Sequence, residues 1–184
     1  DLFTITDRFS DQGYAFANVI PNTSLNKSQG TVDLDFASTQ GQKVRVNNIT
    51  ISGNEKTYDH VIRRTLTIQE QQTYSGTKIK RSQTLLQRLG YFDEASITNK
   101  PTTDPSVVDL DVIVKEATTG SFSAGAGYST ANGALFNTKI SENNLFGTGR
   151  RANVNLDFGS QVQNQIISLD DPRLNDSWFS GGAD

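Results

Sequence analysis

The chain predicts an α+β repeat of order β-α-α-β-β followed by a run of antiparallel, two-faced strands. Three observations carry that reading. Two C-terminal segments, Ser121–Ser129 and Arg151–Phe158, alternate apolar and polar residues almost without error. An order of helix, glycine, strand and strand occurs twice at a nearly constant offset. At 34% hydrophobic residues and a mean hydropathy of −0.49, the chain has no stretch of about 20 apolar residues that could cross a membrane as a helix.

In the first alternating segment one parity carries Phe122, Ala124, Ala126 and Tyr128, and the other only serine and glycine. In the second, Ala152, Val154, Leu156 and Phe158 alternate with Arg151, Asn153, Asn155 and Asp157. Successive side chains of a strand point to opposite faces, so each segment has one apolar and one wet face. Leu145-Phe146-Gly147-Thr148-Gly149 between them reads as a turn. This pattern fits a transmembrane barrel, with lipid outside and water inside, and a half-buried soluble sandwich equally well.

Upstream, Leu2–Ser10 places Leu2, Ile5, Phe9 and Thr6 on one helical face, and Gly13 stops the helix. Tyr14–Ile20 is expected as a strand, Pro21–Ser24 as the start of a polar turn, and Thr31–Phe36 as the returning strand. The same unit recurs. Thr84–Leu89 ends a helix, Gly90-Tyr91-Phe92 follows, Ala95–Lys100 is a strand, Pro101–Pro105 a turn and Val107–Val114 the return. Gly13 and Gly90 are 77 residues apart, and Val32-Asp33-Leu34-Asp35 and Val108-Asp109-Leu110-Asp111 are 76 apart. Offsets that agree to one residue across two features mark a structural repeat. The second copy opens on a strand, Val44–Ile51, and a turn, Ser52-Gly53-Asn54. Thr57 is the expected N-cap of a short helix running through Val61, Ile62 and Leu66. A loop, Gln69–Ser75, leads to a helix over Gly76–Leu89, with Ile79, Leu85, Leu86 and Leu89 as core positions covering the sheet. The first copy lacks the opening strand and helix, so residues are expected before Asp1.

Composition excludes several chemistries. A net charge of −3 with scattered Lys and Arg offers no nucleic-acid footprint. The absence of cysteine removes disulfides, thiolates and cysteine metal sites. His60 is the only histidine and reads as a solvated helix residue rather than a catalytic base. Asp33/Asp35 and Asp109/Asp111 alternate with Val and Leu and read as the wet faces of strands. Asp157, Asp170 and Asp171 lack calcium-loop spacing. Gly125-Ala126-Gly127 and Gly147-Thr148-Gly149 precede no helix and carry no Lys-Ser/Thr pair, so neither is a phosphate loop. The reading is non-enzymatic, with no metal and no cofactor.

Val44-Arg45-Val46, Ile51-Ser52-Gly53-Asn54, Gly90-Tyr91-Phe92, Val108-Asp109-Leu110-Asp111-Val112, Gly120-Ser121-Phe122, Gly127-Tyr128 and Asn144-Leu145-Phe146-Gly147-Thr148-Gly149 together resemble the periplasmic POTRA repeats and first barrel strands of the Omp85 superfamily. The resemblance implies that 1–40 is the end of a fourth POTRA repeat, 41–116 a complete fifth, 117–120 a hinge and 121–184 the first strands of an incomplete transmembrane β-barrel. The second barrel strand is then Ala134–Asn143 after a turn at Asn132-Gly133. The fourth is Gln163–Asp170 after a loop at Gly159-Ser160-Gln161, with a new loop starting at Asp171-Pro172. A POTRA-like unit directly upstream favours the barrel over the sandwich, although four strands cannot close one.

The resemblance further implies assembly and insertion of β-barrel proteins at the bacterial outer membrane, with the POTRA repeats in the periplasm. The implied partners are unfolded outer-membrane proteins, periplasmic lipoprotein subunits and the lipid bilayer. Glu70, flanked by Arg63, Arg64 and Gln69, falls at the lipoprotein-docking position. Ala95, Ser96, Ile97, Thr98, Asn99 and Lys100 form the edge strand open to clients. Phe122, Ala124, Gly125, Ala126, Gly127 and Tyr128 lie on the gate strand, whose small polar face makes a weak edge. Two alternatives are a two-partner-secretion or autotransporter-assembly pore of the same superfamily, and a soluble periplasmic scaffold that binds peptides by strand addition.

Overall fold

The computed structural model describes residues 2–26, 29–130, 133–159 and 163–184. The chain divides into two compact units: Asp1–Ser52 with Leu66–Leu85 and Ser96–Ile113, and Gly53–Thr65 with Leu86–Ala95 and Val114–Asp184. Among the described residues no helix is long and apolar enough to cross a membrane.

In the first unit, helix α1 (Leu2–Asp11) ends at Gly13, whose φ of 100° is open to glycine and strained for other residues. Gly13 N–H bonds the Ser10 carbonyl and Tyr14 N–H the Phe9 carbonyl, both at 3.1 Å, a Schellman closure of the last turn. This closure carries the chain through further turns, so strand β1 covers Asn18–Asn26 and not Tyr14–Ile20. Pro21–Ser24 lies inside β1, not in a turn. Proline is tolerated there because, among the described residues, β1 pairs only with β2 (Thr31–Thr39), in register Pro21↔Phe36, leaving its other side open.

Strand β3 (Arg45–Ser52) runs parallel to β5 (Val107–Glu116), and β4 (Phe92–Pro101) lies on the far side of β5. Alternation along β5 is strict, with Val108, Leu110, Val112 and Val114 at most 3% exposed and Asp109 and Asp111 half-buried on the other face. The same motif in β2 stays uncovered: Val32, Leu34 and Phe36 are exposed. A bulge at Asn47-Asn48 shifts the β3 register. Asp109 stabilises it by accepting from Asn47 Nδ2 at 2.8 Å and Asn48 N–H at 3.1 Å. Beyond the bulge, Glu70 Oε1 accepts from Ile49 N–H at 3.1 Å.

Helix α3 (Gly76–Arg88) buries Ile79, Ser82 and Leu86, while Leu85 and Leu89 are only half-buried. The buried Ser82 hydroxyl accepts from Thr67 N–H at 2.8 Å. At the start of α3, the Asp11 carboxylate accepts from Ser75 Oγ at 2.7 Å and from Thr77 N–H at 3.0 Å. Burial pushes this carboxyl upward in pKa, but the donors outweigh it and hold it below the usual range.

The second unit holds a short helix, α2 (Asp59–Arg63), whose cap is Tyr58 without a side-chain bond. Thr57 is therefore not the N-cap, and Leu66 lies past the helix end. A five-stranded antiparallel sheet follows: β6 (Gly120–Ser129), β7 (Gly133–Leu145), β8 (Arg150–Gly159), β9 (Gln163–Asp171) and β10 (Gly181–Ala183), in spatial order β10-β9-β8-β7-β6. A 3₁₀ turn at Leu174–Asp176 precedes β10. That last short strand is absent from the sequence reading, because Gly-Gly-Ala carries no alternation. Of the expected turns, Asn132 and Ser160-Gln161 lie outside the described residues.

Candidate functional site

Register turns the alternating strands into a two-faced surface. Phe122 pairs with Ile140, Ile140 with Val154, and Val154 with Ile167; Ala126 pairs with Phe136 and Phe136 with Phe158. Directly paired residues share a face, so the apolar parities of β6, β7 and β8 merge into one band that reaches β9 through Ile167 and Leu169. Phe122, Tyr128, Phe136, Ile140, Phe158 and Ile167 are 42 to 80% exposed. An apolar face of this extent marks contact with lipid or another apolar surface. The opposite face carries Ser123, Gly125, Gly127, Asn137, Lys139, Asn153, Asn155 and Asp157. In β9 the alternation weakens, with Gln163 and Gln165 on the apolar side and Ile166 on the polar side.

At one end of this sheet the turn Asn144–Gly149 is locked to the segment that carries α2. Asn144 Nδ2 donates to Thr57 Oγ1 and Asn144 Oδ1 accepts from Gly149 N–H, both at 2.8 Å and buried. Tyr58 N–H donates to the Gly147 carbonyl at 3.0 Å, and the Tyr91 hydroxyl to the Gly149 carbonyl at 3.1 Å. Gly147 has φ 73° and packs so closely that a Cβ would lie 1.9 Å from the Lys56 carbonyl oxygen. No other residue fits there without moving the backbone. The Glu116 carboxylate accepts from Lys56 N–H at 2.9 Å and from Thr57 N–H. Burial pushes this carboxyl up, but those two donors and the Lys56 charge together hold it below its ordinary pKa. A cleft of ≈ 470 Å³ opens beside it, lined by Tyr91, Glu116, Glu142 and Phe146 among others.

The residues expected to bind partners are dispersed. Gln69 and Glu70 are exposed in the first unit, with Glu70 also holding the β3 bulge. In the second unit Arg63 is exposed and pairs with Asp59 at 2.6 Å. The Arg64 side chain is 11% exposed, and its guanidinium bonds Asp176 at 2.6 Å and reaches the Thr148 carbonyl at 3.3 Å. Along β4, Ala95 is buried, Ser96 and Ile97 are half-buried, and Thr98, Asn99 and Lys100 are exposed. At the start of the other edge of that sheet, Val44 and Val46 exchange backbone bonds with Gln71, Gln72 and Tyr74. In β6, Phe122, Ala124, Gly125, Ala126, Gly127 and Tyr128 are all exposed, and the strand lies at the end of its sheet. In the sequence Thr57 reads only as a helix cap and Asn144 only as part of the turn motif, and Glu116 carries no signal.

These features define a class: a POTRA module continuing directly into outer-membrane-type barrel strands. Residues 44–117 match the POTRA family, described as a surface antigen variable number repeat. The chain is 35% identical over 180 residues to the outer membrane protein assembly factor BamA of Nitratidesulfovibrio vulgaris, covering 98% of this chain and 23% of that protein. It is 34% identical over 184 residues to BamA of Neisseria meningitidis, covering 100% of this chain and 23% of the relative. The crystal structure of Haemophilus ducreyi BamA lacking POTRA domains 1–3 superposes with a TM-score of 0.85 at 26% identity, over 98% of this chain and 34% of that one. The chain belongs to the Omp85 superfamily. Its place is the bacterial outer membrane, with the POTRA repeat on the periplasmic side.

Replacing Asn144 with Ala leaves the Thr57 hydroxyl and the Gly149 N–H without this partner in a buried site. The full-length protein should lose roughly 1–3 kcal/mol for each group left unsatisfied. Thermal unfolding measures this, and an unchanged midpoint would show that the turn is not held by this side chain.

Proposed function

We propose that this chain is the POTRA-to-barrel segment of an outer-membrane β-barrel assembly factor, acting without catalysis on unfolded outer-membrane proteins. The observation that carries the reading is the pairing of two open edges with a two-faced sheet. The start of β3 is bonded by its own loop, and β4 is the opposite edge of the sheet, open to an added strand. Main-chain bonds give such addition affinity without demanding a client sequence. The polar Thr98, Asn99 and Lys100 keep that edge from aggregating.

The second edge is β6, the gate strand. Its N–H and C=O groups on the side away from β7 pair an incoming client strand, while its apolar parity meets lipid. Gly125 and Gly127 keep its polar face small; beside Gly127 a Cβ would find nothing within 4 Å. Little side-chain packing therefore resists exchange of the strand paired at this edge. The division of the chain into the end of a fourth repeat (1–40), a fifth repeat (41–116), a hinge (117–120) and barrel strands (121–184) belongs to the same proposal.

A periplasmic lipoprotein subunit docks on the loop at Gln69 and Glu70, both exposed in the first unit. Arg63 and Arg64 belong to the second unit and are left out of this docking set.

Photo-cross-linkers at Ser96, Thr98 and Lys100 and at Phe122, Ala124, Ala126 and Tyr128 of the full-length protein should capture an unfolded barrel client. Absence of adducts at every one of these positions would end the edge-pairing reading. Glu70→Lys should weaken lipoprotein co-purification several-fold, since reversing a rim charge penalises association. Glu70→Gln keeps an acceptor for Ile49 N–H, and so separates loss of charge from loss of fold. Unchanged co-purification with the lysine variant would overturn the docking assignment.

A further inference from the structure

The outward row of the barrel sheet ends in charge. Arg150 and Asp171 continue the apolar parities one step beyond Ala152 and Leu169, and Arg150 Nε donates to Asp171 Oδ2 at 2.9 Å. They stand where the apolar band stops, at the end of the sheet that also carries the Asn144–Gly149 turn. A cleft of ≈ 290 Å³ opens there, into which His60, Arg64, Arg150 and Arg173 converge. Asp171 and Asp176 line it too, so three guanidiniums and an imidazole face two carboxylates in a chain whose net charge is −3. The two carboxylates are already engaged, Asp171 by Arg150 and Asp176 by Arg64. The Arg173 guanidinium has no ion pair among the described residues; it lies over the Trp178 ring at 4.6 Å.

Three large aromatic side chains stand open at this same end: Phe146 at 83%, Trp178 at 88% and Phe179 at 77% exposed. Water gives no reason to present them. At a membrane boundary they have one, because aromatic rings concentrate at headgroup level and barrels carry girdles of them there. A guanidinium stacked on such a ring keeps its charge at the polar boundary while its stem covers apolar surface.

We propose that this cleft binds the phosphate of a phospholipid headgroup in the periplasm-facing leaflet, with Arg173 as the free cation, Arg64 and Arg150 as its flanks, and Trp178 and Phe179 seated beside the acyl-chain boundary. The site rests on the barrel reading above. It adds a fixed lipid contact at the point where barrel strands and the α2 segment meet, and basic pockets at membrane depth are suited to anionic headgroups.

The test uses the full-length protein in mixed micelles of dioleoylphosphatidylglycerol and dioleoylphosphatidylcholine, with bound lipid counted by native mass spectrometry. The wild type should retain phosphatidylglycerol in preference to phosphatidylcholine. Arg173→Gln, which breaks no ion pair, should lower that retention about fivefold, the weight of about 1 kcal/mol for one basic residue at a membrane surface, and Arg173→Lys should restore most of it. Equal retention of both lipids, or phosphatidylglycerol retention unchanged in Arg173→Gln, overturns the proposal. Displacement of the lipid by excess inorganic phosphate would reassign the cleft to a soluble anion and overturn the lipid site. Heat-modifiable migration in detergent gels reports the barrel separately. A folded barrel without headgroup preference removes this site alone, whereas a chain that never forms a barrel removes both.

Discussion

Everything in the C-terminal half depends on strand register. A strand alternates its side chains with a period of two, so a slip of one residue between neighbours would transfer an entire apolar set to the wet face. Pairing Phe122 with Ile140, Ile140 with Val154 and Val154 with Ile167 makes four modest alternations into one surface. No single strand of this sheet is hydrophobic enough to announce a membrane. The band exists only in the assembled sheet, and it explains how a chain of low mean hydropathy carries a lipid-sized face.

Register must be set somewhere, and the turn between β7 and β8 is a fixed point, separated from the regular ladder by an irregularity between Glu142 and Leu145. Asn144 uses both ends of its amide there, one toward Thr57 and one toward Gly149. Gly147 admits no side chain against Lys56. Glu116 closes the other side by accepting the backbone N–H groups of Lys56 and Thr57. The segment that begins α2 is thus used twice, as the entry to a POTRA helix and as the seat of a barrel turn. That double use explains why Thr57 does not cap its helix: its hydroxyl and its N–H are both engaged elsewhere.

Local patterns were legible in the sequence to the extent that physics is local. The strands β5, β6 and β8 appear within a residue or two of their alternating segments, β9 within a residue of where the family resemblance sets it, and Gly13 and Gly90, 77 residues apart, both stand at positive φ. Misreadings cluster where tertiary context overrides composition. Pro21–Ser24 looks like a turn but lies in an edge strand, where a missing donor is harmless. Thr57 looks like a cap until Asn144, 87 residues away, takes its hydroxyl. Arg64 reads as a surface charge, yet Asp176 and Thr148 hold it inward. None of these partners is near in sequence, so no window of residues could have revealed them.

The central claim is that strands β6 to β9 form a sheet with one face in lipid and one in water. Nitroxide labels placed singly at 122 through 128 and 152 through 158 of the full-length protein in phospholipid bilayers test it most directly. Collision with oxygen should peak at the even positions and collision with a water-soluble nickel chelate at the odd ones, with a period of two in both strands. Equal accessibility of the two parities to the nickel reagent would contradict the account.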